Sequence, residues 1–310
     1  MSRSNPHITI ALCTYNGAAY LQEQLQSFLN QTHKNWSLWI SDDGSTDDTW
    51  KILQEFQARH GCAHDIRLLH GPGNGVCQNF LSLLCHPDFP DSYVAFADQD
   101  DIWLKGKLSR ALRVMRDDQQ EPVLYGAQSF HVSQDLQPLG RSKMPKQKPS
   151  FENAIVQNVM SGHSMVLSPG ARRLLRSFGC PREVPFHDWW IYQVVSAAGG
   201  RVVLDTRPVL LYRQHETNVL GASRGLAAFV MRLKAIGTQT YKAWVSKNLD
   251  ALWHCRCHLT HDAREKIRQY REAHVSRGAG RAALLRGLGI KRQAALGTAG
   301  LYLAGAMGWV

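Results

Sequence analysis

The sequence has no secretory signal. Its first apolar run, residues 8–13, is six residues long, below the ~7–15 of a signal core. Long hydrophobic runs are also scarce. Residues 294–310 carry no side-chain charge, but 17 residues rich in Gly and Ala only reach the lower limit of a membrane span. They fit an interfacial anchor or a packed terminal helix better. Neither G-x-G-x-x-G nor G-x-x-x-x-G-K-[ST] occurs, which disfavours the dinucleotide fold and the P-loop. There is no internal repeat. Glycine and proline together are 37 of 310 residues, too few for collagen-like or low-complexity sequence. The seven cysteines are odd in number and several sit in apolar segments, which predicts reduced, buried thiols in a cytosolic protein.

What is present is a chain that is 44% hydrophobic and 20% charged, long enough for two domains at most. Its charge is uneven. Residues 1–220 hold 21 Lys+Arg and 21 Asp+Glu, whereas residues 221–310 hold 15 and 4, so the whole net charge of +11 lies in the last 90 residues. Such asymmetry points to an anionic partner for that region, a membrane or a nucleic acid.

Strand and helix signals alternate in the first half. Short apolar runs at residues 8–12, 36–40, 66–69 and 93–97 are strands. Helical spacing follows at 18–30, 47–57, 76–84 and 104–115. Runs this short in β-α-β-α order predict a mostly parallel sheet covered on both faces. Residues 123–130, 201–204 and 209–212 read as further strands, 137–150 as a Pro/Lys-rich loop able to act as a lid, and 187–197 as a helix. From 225 onward the pattern is helical and basic. The chain therefore divides into an α/β domain, 1–222, and a helical basic region, 223–310.

Polar clusters follow three of the predicted strands: Thr14-Tyr15-Asn16, Asp42-Asp43, and Asp98-Gln99-Asp100-Asp101. In open α/β sheets ligands bind outside the carboxyl ends of the strands, so the three clusters converge on one place. Three carboxylates in four residues are costly without a cation, and hard oxygen ligands suit Mg²⁺ or Mn²⁺ bridging to phosphates. The alternative is a solvated acidic turn that caps the next helix. Asp42 to Asp47 could likewise be an Asx turn, or could present a carboxylate to the N3–H of a pyrimidine.

These segments resemble family-2 glycosyltransferases of the GT-A fold. The resemblance rests on Ile8-Thr9-Ile10-Ala11-Leu12-Cys13-Thr14-Tyr15-Asn16, Gln31-Thr32, Ser41-Asp42-Asp43-Gly44-Ser45-Thr46-Asp47 and Asp98-Gln99-Asp100-Asp101-Ile102-Trp103. It covers about residues 7–220. The Asp-Gln-Asp-Asp-x-Trp form and the segment Tyr212-Arg213-Gln214-His215-x-x-Asn218-x-x-Gly221 are similar to the bacterial rhamnosyltransferase-like branch. The resemblance implies a Rossmann-like GT-A sheet with a helical extension. It implies that Cys13, Tyr15 and Asn16 line the donor pocket, that Asp43 contacts the base and that Asp98 faces ribose or metal. Asp100 would be the metal ligand, with Arg213 and His215 on diphosphate or metal. His187-Asp188 stands where the family has a carboxylate pair, which makes Asp188 the catalytic base. The Gln-x-x-Arg-Trp motif of processive synthases is absent, which favours addition of one or a few sugars.

The expected enzyme is an inverting, metal-dependent, non-processive glycosyltransferase. It would use a nucleoside-diphosphate sugar such as dTDP-L-rhamnose and a lipid-linked or oligosaccharide acceptor in cell-surface polysaccharide synthesis. It would sit peripherally on the cytoplasmic face of the membrane, with no nucleic-acid partner. Two other readings compete: a metal-dependent nucleotidyltransferase or phosphohydrolase using the same acidic triplet, and a basic nucleic-acid-binding protein. Lys105 and Lys107 read as solvated helix charges, Trp189 and Trp190 as core, and His163 as an acceptor-side candidate. His254, His258 and His261 fall on one helical face beside Cys255 and Cys257, without any common zinc spacing. Residues 226–245 resemble an amphipathic helix suited to an anionic membrane surface.

Overall fold

The computed structural model describes residues 5–115, 121–215, 240–272 and 278–309. Its strands are the short apolar runs, several buried along their whole length, as in a sheet covered on both faces. In chain order the first elements are β1 (Ile8–Thr14), α1 (Ala18–Leu29), β2 (Trp36–Asp42), α2 (Thr49–His60), β3 (Ile66–His70), α3 (Val76–Cys85) and β4 (Tyr93–Ala97). Then come β5 (Ile102–Trp103), α4 (Lys107–Met115), β6 (Val123–Ala127), β7 (Phe130–Ser133), β8 (Pro138–Arg141), α5 (Phe151–Val156), β9 (Val166–Leu167) and α6 (Pro169–Ser177). They are followed by α7 (His187–Ala197), β10 (Arg201–Asp205) and β11 (Leu210–Gln214). The last described helices are α8 (Thr240–His254), α9 (His261–Glu272), α10 (Ala279–Gly287) and α11 (Ala295–Ala306).

Two compact units share these elements. The first comprises residues 1–144, 160–182 and 200–215. It holds a seven-stranded sheet in the order β10-β6-β9-β4-β1-β2-β3, parallel except for β9, which runs antiparallel to both neighbours. A smaller sheet, β5-β11-β7-β8, lies in the same unit. Sequence periodicity misses most of this second sheet. Its two-residue and fully exposed strands, β5 and β8, carry no hydrophobic alternation. The run at 123–130 is two strands, because Gln128 and Ser129 bond to Asp205 and Ser142 rather than continuing one ladder. The expected loop at 137–150 therefore contains β8.

The second unit comprises residues 145–159, 183–199 and 216–310. In it α5 and α7 are pinned together by Trp189 Nε1 and Gln193 Nε2, both donating to Ala154 O, at 2.6 and 2.9 Å. Trp189 and Trp190 are core. The antiparallel line of contacts Glu183–Lys247, Phe186–Trp244 and Trp189–Tyr241 lays α8 along α7. The boundary expected at 222 and most of the amphipathic segment 226–245 lie outside the described residues. No described helix is long and apolar enough to cross a membrane. All seven cysteines are free thiols, but only Cys13 and Cys77 are buried, while Cys62, Cys180 and Cys257 are exposed. The expectation of buried thiols holds for the sheet and its helices and fails at the surface turns. His254 ends α8, His258 lies in a 3₁₀ turn and His261 opens α9, so the three histidines share no helical face.

One clasp ties the sheet to its helices. Arg110 on α4 grips Asp205 at the end of β10 through two bonds of 2.5 and 2.7 Å, and Tyr125 of β6 donates to the same carboxylate at 3.1 Å. Burial pushes the Asp205 carboxyl up, but Arg110, the Arg207 N–H and Tyr125 outweigh it and hold the group below the usual carboxylate range. A depressed folded value means the stabilisation is complete above the unfolded Asp value of ~4 and is lost as pH falls through the folded one. Asp205→Asn is expected to lower unfolding free energy by about 2–3 kcal/mol at neutral pH. Urea titrations should show the gap between wild type and variant narrowing below pH ~4.

Candidate active site

The parallel register puts the three polar clusters side by side. Thr14 of β1 is level with Asp42 of β2, and Leu12 with Ala97 of β4. The residues that follow, Tyr15, Asp43 and Asp98, leave the sheet at one edge. The Asp43 N–H donates to Thr14 O at 2.9 Å. The Cys13 thiol lies between the second and third clusters: burial raises its pKa well above the usual range, and the charges of Asp98 and Asp43 raise it further. The group is a neutral S–H, suited to packing against a ligand and unsuited to nucleophilic attack.

The turn after β1 is clipped on both sides. Tyr15 N–H donates to Gln99 Oε1 at 2.8 Å, and Gln99 Nε2 donates back to Tyr15 O at 2.9 Å. Asn16 adopts a left-handed φ of 47°, which Asn tolerates better than most residues. Its N–H donates to Ser45 Oγ and its Oδ1 accepts from Thr46 N–H, each at 2.8 Å. Asn16, expected in the donor pocket, thus also joins the first two loops. Between the clips the Tyr15 side chain stands 59% exposed. Gly17 is the closest approach: a Cβ there would fall 2.2 Å from Gln99 Oε1. Gln99, otherwise only a member of the acidic motif, is what fixes this turn.

The paired aspartates do different work. Asp42 makes an Asx turn, accepting from Ser45 N–H at 2.9 Å, Ser45 Oγ at 2.5 Å and Thr14 Oγ1 at 3.1 Å. Asp43 reaches the Gly-rich turn before α3. Its Oδ1 accepts from Gly73 N–H and its Oδ2 from Gly75 N–H, both at 2.7 Å. Gly73 and Gly75 have φ of 69° and 85°, which a side chain would strain. Each Asp43 oxygen keeps a second lone pair, so one carboxylate can hold the loop and still accept from a ligand.

Beyond β4 the acidic turn splits into two groups. Asp98, Asp101 and half-buried His163 bring one ligand atom each to within 4.8 Å of one another. Asp101 is fully buried, and its Oδ2 has no hydrogen-bond partner. Burial, then Asp100 and Asp98, push its carboxyl well above the usual range, against the pull of Lys107 and the Arg213 N–H. Burial, with Lys107 and His131 adding to it, lowers His163 to about 3, which leaves a neutral imidazole. Two carboxylates, a neutral imidazole and an orphaned buried oxygen fit a divalent cation. Asp98 and Asp101 belong to the acidic triplet expected to suit a cation, whereas His163 was expected only on the acceptor side.

The second group contains the expected pair. His215 Nε2 lies 2.8 Å from Asp100 Oδ2, and its ring stacks on Tyr20 at 5.1 Å. Arg213 is buried. Its Nε donates to Asp100 O at 3.1 Å and its Nη1 to Gln134 O at 2.5 Å, while Nη2 bonds Glu23 of α1. The guanidinium expected to meet a diphosphate is thus buried and braces the acidic turn.

Lys107 corrects the reading of a solvated charge. Only Lys105 is exposed; Lys107 is 0% exposed. Its Nζ donates to His163 O at 2.5 Å and sits 3.6 Å above the Trp103 ring. Burial lowers its pKa, while Asp101 and Asp98 pull the other way. It sits behind the acidic turn with burial holding it well below the usual lysine range, and the apolar residues around it on α4 carry it inward.

Asp188 belongs to the second unit. It lies in the first turn of α7, half-buried, and its Oδ1 accepts from Trp189 N–H at 2.7 Å. Phe186, not Asp188, is the N-cap. Burial holds the neighbouring His187 below the usual imidazole range against the opposing charge of Asp188.

This architecture, with acidic residues at the mouth of a mostly parallel sheet, is the GT-A fold of sugar-transferring enzymes. The chain belongs to glycosyl transferase family 2, whose profile matches residues 9–177. It is similar to the dTDP-rhamnosyl transferase RfbG of Shigella flexneri, 28% identical over 78% of this chain and 84% of that protein. It is also 28% identical to the Escherichia coli UDP-Glc:α-D-GlcNAc-diphosphoundecaprenol β-1,3-glucosyltransferase WfaP, over 42% of this chain and 48% of that one. Among solved structures, Staphylococcus aureus TarS bound to UDP matches with a TM-score of 0.55 and 14% identity, over 89% of this chain and 75% of that one. The Pyrobaculum calidifontis mannosyltransferase PcManGT, solved with GDP-Man and Mn²⁺, matches with a TM-score of 0.55 and 18% identity, over 98% and 86%.

Two outcomes test this geometry. Gly17→Ala is expected to cost about 2 kcal/mol by displacing Gln99, and under about 0.5 kcal/mol in a Gln99→Ala background. A full cost in both backgrounds, by chemical denaturation, would remove Gln99 as the reason for glycine. Lys107→Met is expected to destabilise by about 3 kcal/mol, and Lys105→Met by under about 0.5 kcal/mol.

Proposed function

We propose that this glycosyltransferase moves a sugar from a nucleoside-diphosphate donor, with dTDP-L-rhamnose the first candidate, to a lipid-linked or oligosaccharide acceptor in cell-surface polysaccharide synthesis. Transfer is inverting, metal-dependent and non-processive. The observation that carries the reading is the convergence of Cys13, Asp43 and Asp98 at adjoining strand ends. The Shigella relative's name supports the donor, and the E. coli relative's name supports a lipid-diphosphate acceptor. Membership of the family favours sugar transfer over the nucleotidyltransferase and phosphohydrolase readings of the acidic triplet.

The residues divide the work. Cys13 and Tyr15 pack against the base, Asn16 fixes the Tyr15 turn, and Asp43 accepts the N3–H with its second lone pairs. Uracil and thymine present the same N3–H, so this contact selects a pyrimidine of either kind. Asp98, Asp101 and His163 would hold a cation between them, and Asp100 with His215 forms a second pair of candidate ligands beside them. A bound Mg²⁺ or Mn²⁺ supplies positive charge for the departing diphosphate. Arg213 braces the acidic turn and adds positive charge on the same side. Asp188 takes the proton of the acceptor hydroxyl as that oxygen attacks the anomeric carbon from the face opposite the diphosphate, which inverts the configuration. Ordered donor and acceptor supply much of the rate. The basic region 221–310 draws the enzyme to the anionic cytoplasmic face of the membrane, where a lipid-linked acceptor resides.

Asp188→Asn is expected to keep donor affinity, read by calorimetry, and to lose transfer by at least about 100-fold. Asp100→Ala should lose the metal-dependent part of donor binding. Normal transfer by the first variant would put the base elsewhere, and unchanged metal dependence in the second would remove Asp100 from the cation site. A melting-temperature panel of nucleotide sugars with Mn²⁺ identifies the donor, because a ligand bound only to the folded state raises its stability.

A further inference from the structure

Helix α11 is uncharged, and its two faces differ. Leu301, Ala304 and Gly305 are buried. Gly305 lets α10 come close, since a Cβ there would fall 2.6 Å from Leu285 Cδ1. The Gly278 N–H donates to Ala306 O at 2.9 Å, which closes the open end of the hairpin, and Lys242 Nζ of α8 donates to Gly308 O at 3.0 Å just beyond it. The opposite face carries Leu296, Ala299, Gly300 and Leu303, with Met307 capping the helix, all exposed and at the i, i+3, i+4, i+7, i+11 positions of one helical stripe. Leu296 is 90% exposed, Leu303 62%, Met307 42% and Trp309 39%. Four large apolar side chains held in water along one short element need a partner.

The charge around this face selects the partner. After Glu272 the chain has five basic residues and no acidic one. Arg286 lines a groove with Ala282, Ala283, Gly287 and Tyr302 of α11, and Lys291 stands exposed just before that helix. A second copy of this chain would bring like charges together on that surface. An anionic lipid surface would meet both the charges and the apolar stripe. At 12 residues the helix is about 18 Å long, well short of the ~30 Å hydrocarbon core, so it fits along the surface and not across it. Trp309 at its end is of the type that settles at headgroup depth.

We propose that the outer face of α11 inserts into the headgroup region of an anionic membrane, with Leu296, Leu303, Met307 and Trp309 as the apolar contacts and Arg286 and Lys291 as the charged ones. This rests on the membrane part of the proposed function and not on its donor chemistry. It also puts the anchor in the described terminal hairpin instead of residues 226–245.

The test is co-sedimentation of the full chain with vesicles of phosphatidylglycerol and phosphatidylcholine in equal parts, and with phosphatidylcholine alone. The wild type should bind the mixed vesicles and release with salt. Leu296→Gln/Leu303→Gln should weaken binding at least about ten-fold, the order expected for withdrawing one to two leucines from an apolar setting. Arg286→Gln/Lys291→Gln should weaken it and flatten the salt dependence. Both pairs are on the surface, so melting temperature and donor-induced melting shift should stay as in the wild type. A leucine variant that melts normally yet sediments undiminished overturns the proposal. So does equal binding of the wild type to phosphatidylcholine alone, or a wild-type dimer that the leucine variant splits and that ignores vesicles. Donor binding is read on the same samples, so failure of the catalytic reading is separable from failure of this one.

Discussion

Crowded negative charge at the end of β4 is the constraint around which the first unit is built. Three carboxylates within four residues leave the sheet together, and one of them is wholly out of water. Like charges that close push one another toward neutrality unless something positive is near. Lys107 is held beneath them with no access to solvent, and Arg213 is held beside them by contacts to three other segments. The turn is thus backed by two buried basic side chains that have little access to water.

The rest of the pocket is ordered by the same logic, through neutral groups. Gln99 exchanges two hydrogen bonds with the backbone at Tyr15, and Asp43 gathers two glycine N–H groups from the turn before α3. With the Asn16 bonds to Ser45 and Thr46, loops that follow four strands thereby become one surface. The cost is a set of positions where the chain has little choice of residue. Gly17 leaves no room for a methyl group, and Gly73 and Gly75 need a backbone that side chains resist.

Much of this was legible in the sequence, for identifiable reasons. Short apolar strands followed by Thr14-Tyr15-Asn16, Asp42-Asp43 and the Asp98 turn announce a parallel sheet with a site at its carboxyl edge, because strand order carries the side chains there. Lys107 was not legible, since a lysine at a helix start gives no sign of being inside. His163 lay 65 residues beyond Asp98 and was read only as an acceptor-side candidate. Its place beside Asp98 and Asp101 depends on the antiparallel insertion of β9, whose two residues give no periodic signal. The small sheet containing β8 escaped for a related reason: all four of its residues face water.

The state of Cys13 has a practical consequence for chemical probing. Sulfur in this pocket is shielded, protonated and flanked by carboxylates. Alkylating reagents such as maleimides and iodoacetamide react through thiolate, so they will find Cys62, Cys180 and Cys257 at the surface well before they find it. Labelling those outer positions leaves the crevice at the strand ends chemically untouched, and a warhead built for the crevice itself must seek a hydroxyl, amine or carboxylate instead of sulfur.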